Sequence, residues 1–298
     1  RKYILWIYGK WRPLWEFSYK SFKDLFGFGS KLLLSGLIDV FYKNVYYIVI
    51  GRYYSATQLG QYTRAEQFST IFSSNLTSVV QRVSYPVLSS IQEEPERLRD
   101  AYRKIIKVTM LITFALMFGL AAIAKPLIVI LIGEKWLMAV PFLQIICFSE
   151  MLYPLHAINL NILQVRGYSG LFLKLEIVKK IIAVIPIMIG IFWGINYMLW
   201  GAVCISLVSY ILNSYYSGRL IDYSTVKQVK DIFPCFLVSS LVALLMWGIT
   251  FLHFNFLVTL LLQVSVGILL AIVAYERMRL EEYKEIRRII LSIIRKNS

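Results

Sequence analysis

The stretch Phe256–Ala274 reads FLVTLLLQVSVGILLAIVA and is apolar on nearly every helical face. As an α-helix it is long enough to cross the hydrocarbon core of a bilayer, which is about 30 Å thick. The stretch Ile181–Trp193, IIAVIPIMIGIFW, is equally apolar. The strands of a membrane barrel would instead alternate apolar and polar residues over about ten positions. The sequence therefore predicts membrane-spanning helices.

Apolar stretches of this kind recur along the whole chain. The predicted spans are 29–50, 66–90, 106–132, 138–163, 171–193, 196–217, 232–252 and 255–275. The composition agrees, since 58% of the residues are hydrophobic and 16% are charged, against about 25% charged in soluble domains. The connections are short, so neighbouring helices are expected to pack antiparallel. The predicted fold class is an all-α integral membrane protein with about eight transmembrane helices in an antiparallel bundle.

The basic residues are distributed unevenly between the two sides of these spans. Of the 32 lysines and arginines, 26 fall in one set of segments: residues 1–31, the loops 91–107, 164–180 and 218–231, and the tail. The opposite side holds Arg52, Arg64 and Lys135. Cytoplasmic loops of membrane proteins carry the excess of basic residues, so both termini are predicted to be cytoplasmic. The net charge of +15 is thereby explained without a nucleic-acid partner.

Several charged and polar side chains fall inside the predicted spans, where a charge costs at least about 2.5–3.5 kcal/mol. Asp39 and Lys43 are one helical turn apart and can pair; they form either a self-neutralising structural pair or a cation that faces a lumen. The second span carries a polar face that favours a hydrated lumen, although Arg82 can alternatively reach the lipid headgroups. This face consists of Gln67, Thr70, Ser74, Asn75, Ser78, Gln81 and Arg82.

The fourth span has a second polar group around Pro154. It consists of Glu150, Tyr153, His156, Asn159 and Asn161. His156 is either a hydrogen-bonded packing residue or a proton carrier. The sixth span adds a further polar stripe that includes serines. Hydrogen bonding between helices explains these serines as well as a lumen does.

Motifs of enzymes are absent from the sequence. It has no P-loop, no HExxH and no nucleophile elbow, and its two histidines, His156 and His253, lie on different spans. The protein is therefore predicted not to be an enzyme, and no metal or cofactor is expected.

An ordered series of short motifs resembles the polysaccharide exporters of the multidrug/oligosaccharidyl-lipid/polysaccharide flippase superfamily, and among them the Wzx-type lipopolysaccharide or exopolysaccharide flippases. The motifs are Trp11-Arg12-Pro13, FGSKLLLSG at 28–36, LGQYTRA at 59–65, QRVSYPVLS at 81–89, GEKW at 133–136, YPLHAINLN at 153–161 and LEIVKK at 175–180.

This resemblance implies a domain organisation. The family has two six-helix lobes that face each other across a central cavity, often followed by two further helices. The chain would match the second lobe at 29–217 and the final helix pair at 218–275. An interfacial amphipathic segment at 1–28 would precede the lobe, and a basic cytoplasmic tail at 276–298 would follow the pair. The first lobe would be missing, so the chain is expected to be a fragment.

The resemblance also implies an activity: the translocation of undecaprenyl-diphosphate-linked oligosaccharide across the bacterial inner membrane by alternating access, for surface polysaccharide biosynthesis. The expected partners are this lipid-linked oligosaccharide, membrane lipids and polysaccharide polymerase machinery. An anionic diphosphate needs a cationic, hydrated route. The candidate route residues are Lys43, Arg82, Asp39, Asn75, Ser78, His156 and Asn159. A drug antiporter of the same superfamily and a membrane enzyme acting on lipid-linked glycans are the alternatives.

Overall fold

The computed structural model describes residues 17–278, 283–284 and 287–288, with the side chains of residues 24 and 43 left out. The described residues form ten α-helices and no strand. The helices are α1 Tyr19–Tyr53, α2 Ala56–Ser90, α3 Pro95–Ile132, α4 Ala139–Glu150, α5 Tyr153–Val165, α6 Ser169–Ile182, α7 Val184–Trp193, α8 Ile195–Leu220, α9 Thr225–Gly248 and α10 Phe256–Arg277. Single 3-10 turns follow α3 (Glu134–Trp136) and α9 (Ile249–Leu252).

Five of the described helices are long and apolar enough to cross a membrane. They are α1, α3, α8, α9 with its 3-10 turn, and α10. The predicted fold class, an all-α membrane protein, is confirmed. The other predicted spans fall on α2, which is 35 residues long but has polar residues on one face, and on two pairs of shorter helices. The number of eight spans stays a prediction.

Two predicted spans are kinked in their middle by proline. The span 138–163 is divided into α4 and α5, and the span 171–193 into α6 and α7. Proline lacks an N–H and its ring crowds the carbonyl four residues earlier. That carbonyl belongs to Glu150 for Pro154 and to Ile182 for Pro186, which are the last residues of α4 and α6. At Ala183 the torsion angles remain helical, with φ −70° and ψ −6°, so the interruption bends the helix without ending it.

The first described helix differs from the predicted separation of an interfacial segment from the first span. Residues 19–28 continue into 29–53 as one helix of 35 residues. Ser18 caps its N-terminus by accepting a hydrogen bond from the Ser21 amide, and no proline interrupts it. The rest of the predicted segment, residues 1–16, lies outside the described part of the chain.

Helix α3 is the centre of the bundle. Its inward side chains Tyr102, Ile106, Met110 and Met117 have no exposed surface, and it packs against α2, α4, α9 and α10. The final pair α9–α10 is therefore attached directly to the lobe. Because lipid is as apolar as leucine, tight packing drives helix association in a membrane more than burial does. Gly201 illustrates this packing, since a Cβ there would lie 2.6 Å from the Cβ of Pro186.

A polar network joins α3 to α9 at the end of the bundle that is predicted to be cytoplasmic. The Arg103 guanidinium donates two hydrogen bonds to the Asp231 carboxylate, at 2.5 and 2.8 Å. The Tyr223 hydroxyl donates a third at 2.7 Å. Burial raises the pKa of the Tyr223 phenol, which keeps it neutral and able to donate. This bidentate arrangement fixes the position of the final helix pair.

Candidate functional site

Both kinks open onto one polar region of the bundle. Two adjoining cavities, of about 300 and 320 Å³, share the side chains Asp39, Tyr42, Tyr153, His156 and Lys180. These residues come from α1, α5 and α6, and further lining comes from α2, α4 and α8. Transporters place their binding sites near the middle of the bilayer, at helices that are interrupted there. The position of the cavities therefore marks them as a candidate functional site.

An ion pair between α1 and α6 lies at the junction of the two cavities. The Lys180 ammonium is 2.7 Å from the Asp39 carboxylate and 4.3 Å from the centre of the Tyr42 ring. The Tyr42 hydroxyl in turn donates to the Ala183 carbonyl at the kink, at 3.4 Å. Lys180 is a partner of Asp39 that the sequence analysis did not consider. The predicted pairing of Asp39 with Lys43 is untested, because the Lys43 side chain lies outside the described part.

Lys179 forms a second ion pair with Glu176, one helical turn away on α6. Both side chains are buried. In the sequence analysis the loop 164–180 and the span 171–193 overlap at Lys179 and Lys180, and the structure places both lysines within a helix. Helix α6 begins at Ser169, so these lysines lie about 15 Å along it at 1.5 Å per residue. Without them, 24 basic residues remain on the predicted cytoplasmic side, so the asymmetry persists.

Two further carboxylates line the first cavity, and each accepts a hydrogen bond from a hydroxyl group. Tyr47 donates to Glu66, and Ser73 donates to Glu150 at 2.5 Å. Charged groups within membrane-spanning segments are usually paired or face water. The cavity walls therefore combine carboxylates with the Lys180 ammonium.

His156 lines both cavities as well. Its Nε2 lies 3.1 Å from the Ser206 hydroxyl, which donates to the Ser149 carbonyl. Its buried Nδ1 has no hydrogen-bond partner among the described residues. This chain of hydrogen bonds agrees with a packing role, and the proton-carrier alternative stays untested.

Asn159 is held by hydrogen bonds on the other side of α5. Its Oδ1 accepts from Tyr102 at 2.9 Å and from Ser217 at 2.5 Å, and its Nδ2 donates to Leu155 at 2.9 Å. The side chain is fully buried and joins α5 to α3 and α8. The structure does not bring this candidate route residue to either cavity.

The predicted polar face of α2 is exposed on the surface of the chain. Asn75, Ser78 and Arg82 are all exposed, while the opposite face of α2 buries the small hydroxyl residues Ser73 and Thr77. The exposed residues belong to a polar stripe, here called the α2 stripe, in which Thr70 is half-buried and the others are exposed. It consists of Gln67, Thr70, Ser74, Asn75, Ser78, Gln81 and Arg82.

The α2 stripe borders the cavities directly. Thr70 and Ser74 line the first cavity, and Gln81 lines the second. Thr70, Ser74 and Asn75 each donate a hydrogen bond to a carbonyl of their own helix one turn earlier. The Arg82 guanidinium would still be costly in lipid, so the stripe is expected to face water or another protein surface. Of the route residues predicted from the sequence, Asn75, Ser78 and Arg82 are exposed on α2, and Asp39 and His156 line the cavities.

Interrupted helices around a charged cavity are a feature that membrane transporters also have. Comparison with known proteins agrees. Residues 1–141 match the model of a family described as "Polysaccharide biosynthesis protein". The resemblance to polysaccharide exporters is thereby confirmed, and no solved structure matches the chain significantly.

Three curated relatives illustrate this similarity. The teichuronic acid biosynthesis protein TuaB of Bacillus subtilis is 26% identical over 87% of this chain and 54% of its own length. The lipopolysaccharide biosynthesis protein WzxC of Escherichia coli is 26% identical over 60% of this chain and 37% of its own length. A probable low-salt glycan biosynthesis flippase of Haloferax volcanii is 21% identical over 92% of this chain and 59% of its own length. The chain thus spans about half the length of these relatives.

Proposed function

We propose that this chain is part of a transporter that moves a lipid-linked oligosaccharide, carried on undecaprenyl diphosphate, from the inner to the outer leaflet of the bacterial cytoplasmic membrane. The α2 stripe is the observation that carries this proposal. It offers polar groups and Arg82 along a helix in a bundle whose remaining outward surface is largely apolar. The printed names of the relatives, which include a flippase and a lipopolysaccharide biosynthesis protein, support it.

The diphosphate headgroup and the glycan would pass along the α2 stripe. The guanidinium of Arg82 can form two parallel hydrogen bonds to phosphate oxygens, and Asn75 and Ser78 offer hydrogen bonds to sugar hydroxyls. Pro86 removes the helical partner of the Arg82 carbonyl, which is therefore free to accept a further hydrogen bond. Lys43, one turn from Asp39, would supply a second cation from α1.

The lipid tail would stay in an apolar environment during this passage. A cavity of about 340 Å³ between α2, α3, α9 and α10 is lined mainly by apolar side chains such as Leu116, Ile123 and Ile268. An isoprenoid chain gains no free energy by leaving lipid. This apolar cavity would therefore let the tail move beside the protein while the headgroup crosses. An inside-negative potential favours outward movement of an anion by about 2.3 kcal/mol per charge per 100 mV.

In this proposal both termini are cytoplasmic, and polysaccharide polymerase machinery takes up the product on the outer side. The protein performs no covalent chemistry on its substrate, in agreement with the flippase and transport names of its relatives. Export of a cationic small molecule is the second candidate function, and the carboxylates Asp39, Glu66 and Glu150 in the cavity walls favour it.

Substitution of Arg82 tests the first of these functions. Surface polysaccharide is measured in a strain that lacks its flippase and expresses the full-length protein that the genome encodes. We expect Arg82→Ala to lower export at least tenfold and Arg82→Lys to lower it less, because lysine keeps the charge but loses the bidentate contact. The exposed Arg97, on the predicted cytoplasmic side, provides the control Arg97→Ala. Normal export by Arg82→Ala, or a loss explained by reduced protein in the membrane, would refute the route.

A further inference from the structure

A cluster at the opposite end of α2 from Arg82 contains two of the three basic residues that the topology places outside. The Arg64 guanidinium carbon lies 5.3 Å from the centre of the Trp136 ring, and the Lys135 ammonium lies 5.7 Å from it. Arg64 and Lys135 are both exposed. Two cations therefore meet around one tryptophan, here called the outer cation cluster.

The outer cation cluster is held in place without using the charges of its cations. The Gln61 amide donates a hydrogen bond of 2.8 Å to the Lys135 carbonyl. Trp136 packs against Gly60, where a Cβ would lie 3.6 Å from the ring. These contacts attach the 3-10 turn Glu134–Trp136 to the first turns of α2. These contacts fix the position of the tryptophan ring. The two cations beside the ring are not required to hold the 3-10 turn in place.

Neither cation is neutralised within the part of the chain that the structure describes, since none of its ion pairs includes Arg64 or Lys135. Arg64 uses one N–H to donate to Gln67 at 2.8 Å. The guanidinium contacts the tryptophan ring, and this contact leaves the remaining N–H groups of the guanidinium available to an anion. A fixed pair of exposed, uncompensated cations is suited to bind phosphate oxygens.

The cluster lies on the same face of α2 as the α2 stripe. Arg64 and Arg82 are eighteen residues apart, which is five full helical turns and about 27 Å along the axis. This length is close to the thickness of the hydrocarbon core. Gln67, the partner of Arg64, is the first residue of the stripe. The helix therefore presents one arginine at each end of its polar face.

We propose that Arg64, Lys135 and Trp136 form an anion-binding site at the outer end of the route, which receives the diphosphate of the lipid-linked substrate after it leaves Arg82. This inference rests on the proposed function. If the inner end alone had a cationic site, the diphosphate headgroup would stay bound there. A second cationic site at the outer end offers the diphosphate similar contacts after it has crossed. The two sites would make the start and the end of the crossing similar in energy.

Binding of inorganic pyrophosphate to the purified chain in phosphatidylcholine nanodiscs tests the site without any transport. Affinity is measured by calorimetry for the wild type, Arg64→Ala, Arg64→Lys, Lys135→Ala and Arg52→Ala. We expect Arg64→Ala to weaken binding roughly tenfold, Lys135→Ala less, and Arg64→Lys to recover part of the loss. Arg52→Ala, an exposed arginine on the same predicted side, should bind as the wild type does. Added salt should weaken wild-type binding more than that of Arg64→Ala.

Three outcomes would overturn the inference. The wild type does not bind pyrophosphate; the double variant Arg64→Ala/Lys135→Ala binds it as well as the wild type; or phosphatidylglycerol in the nanodisc abolishes binding, which would identify a site for bulk lipid headgroups. If the double variant binds pyrophosphate as well as the wild type but has a lower thermal stability, the contact of the cations with Trp136 is structural only. Because the assay requires no flipping, its failure leaves the export experiment on Arg82 intact, and the reverse also holds.

Discussion

Replacement of Lys180 by methionine tests whether the ion pair with Asp39 organises the buried cavity. Methionine retains most of the length of the side chain and removes only the ammonium. Removal of one partner from a buried ion pair costs about 3–5 kcal/mol. Here the Lys180 and Asp39 side chains are 21% and 33% exposed, and water screens them in part, so we expect Lys180→Met to cost about 2 kcal/mol.

The second variant, Asp39→Asn, identifies the origin of that cost. If Lys180→Met destabilises the protein by removing the ammonium that pairs with the Asp39 carboxylate, the double variant should recover part of the loss. A coupling energy of about 1–2 kcal/mol is expected from the double-mutant cycle. The free energy of unfolding is measured in mixed micelles by titration with sodium dodecyl sulfate, followed by circular dichroism.

Lys174→Met is the matched control, because Lys174 is an exposed lysine on the same helix. It should change the free energy of unfolding by less than about 0.5 kcal/mol. The reasoning is refuted if Lys180→Met costs no more than Lys174→Met, or if the coupling to Asp39→Asn is indistinguishable from zero.

Three further predictions concern topology and packing. An impermeant maleimide applied to intact cells should label Glu134→Cys and not Glu94→Cys; the reverse pattern would invert the orientation. Gly201→Leu should lower the thermal stability of the purified protein because of its close contact with α7, whereas Gly119→Leu, with nothing within 4 Å of its Cβ position, should leave it nearly unchanged; equal effects would contradict tight packing at α7. Arg103→Ala should cost about 1–3 kcal/mol by leaving Asp231 without its bidentate partner, and a denaturant titration that shows no change would rule out that network as an anchor.

The helical membrane fold could be predicted because apolar runs of about 20 residues are typical of membrane-spanning helices. The Phe256–Ala274 run corresponds to α10, whereas the prediction that the polar face of α2 lines a hydrated lumen stays a prediction. The kinks at Glu150 and Ile182 could also have been located, since each lies four residues before a proline. Their convergence on one cavity could not, because it depends on how α4–α5 and α6–α7 pack in three dimensions.

The buried charges were harder to assign. Lys179 and Lys180 precede the very apolar stretch Ile181–Trp193, and a lysine pair in that position is typical of the cytoplasmic edge of a span. The predicted span 171–193 already contained both lysines, and the count of basic residues nevertheless placed them in the loop 164–180. The partner of Asp39 comes from a helix 141 positions later in the sequence, and no local spacing rule reaches that far. Asn159 was predicted to line the route because its type is polar, but its hydrogen bonds connect three helices.

The polarity of α2 has a consequence for how the protein enters the membrane. The amides and hydroxyls of α2 oppose its insertion by the translocon, because polar side chains in a nascent span are costly, and Arg82 adds to this cost. The strongly apolar α3 follows directly, and it packs against α2 in the folded bundle. The two helices are therefore expected to leave the translocon together as a hairpin. In this hairpin the apolar α3 keeps the polar α2 in the bilayer. Biogenesis of the transport path would then depend on the order in which the helices are synthesised.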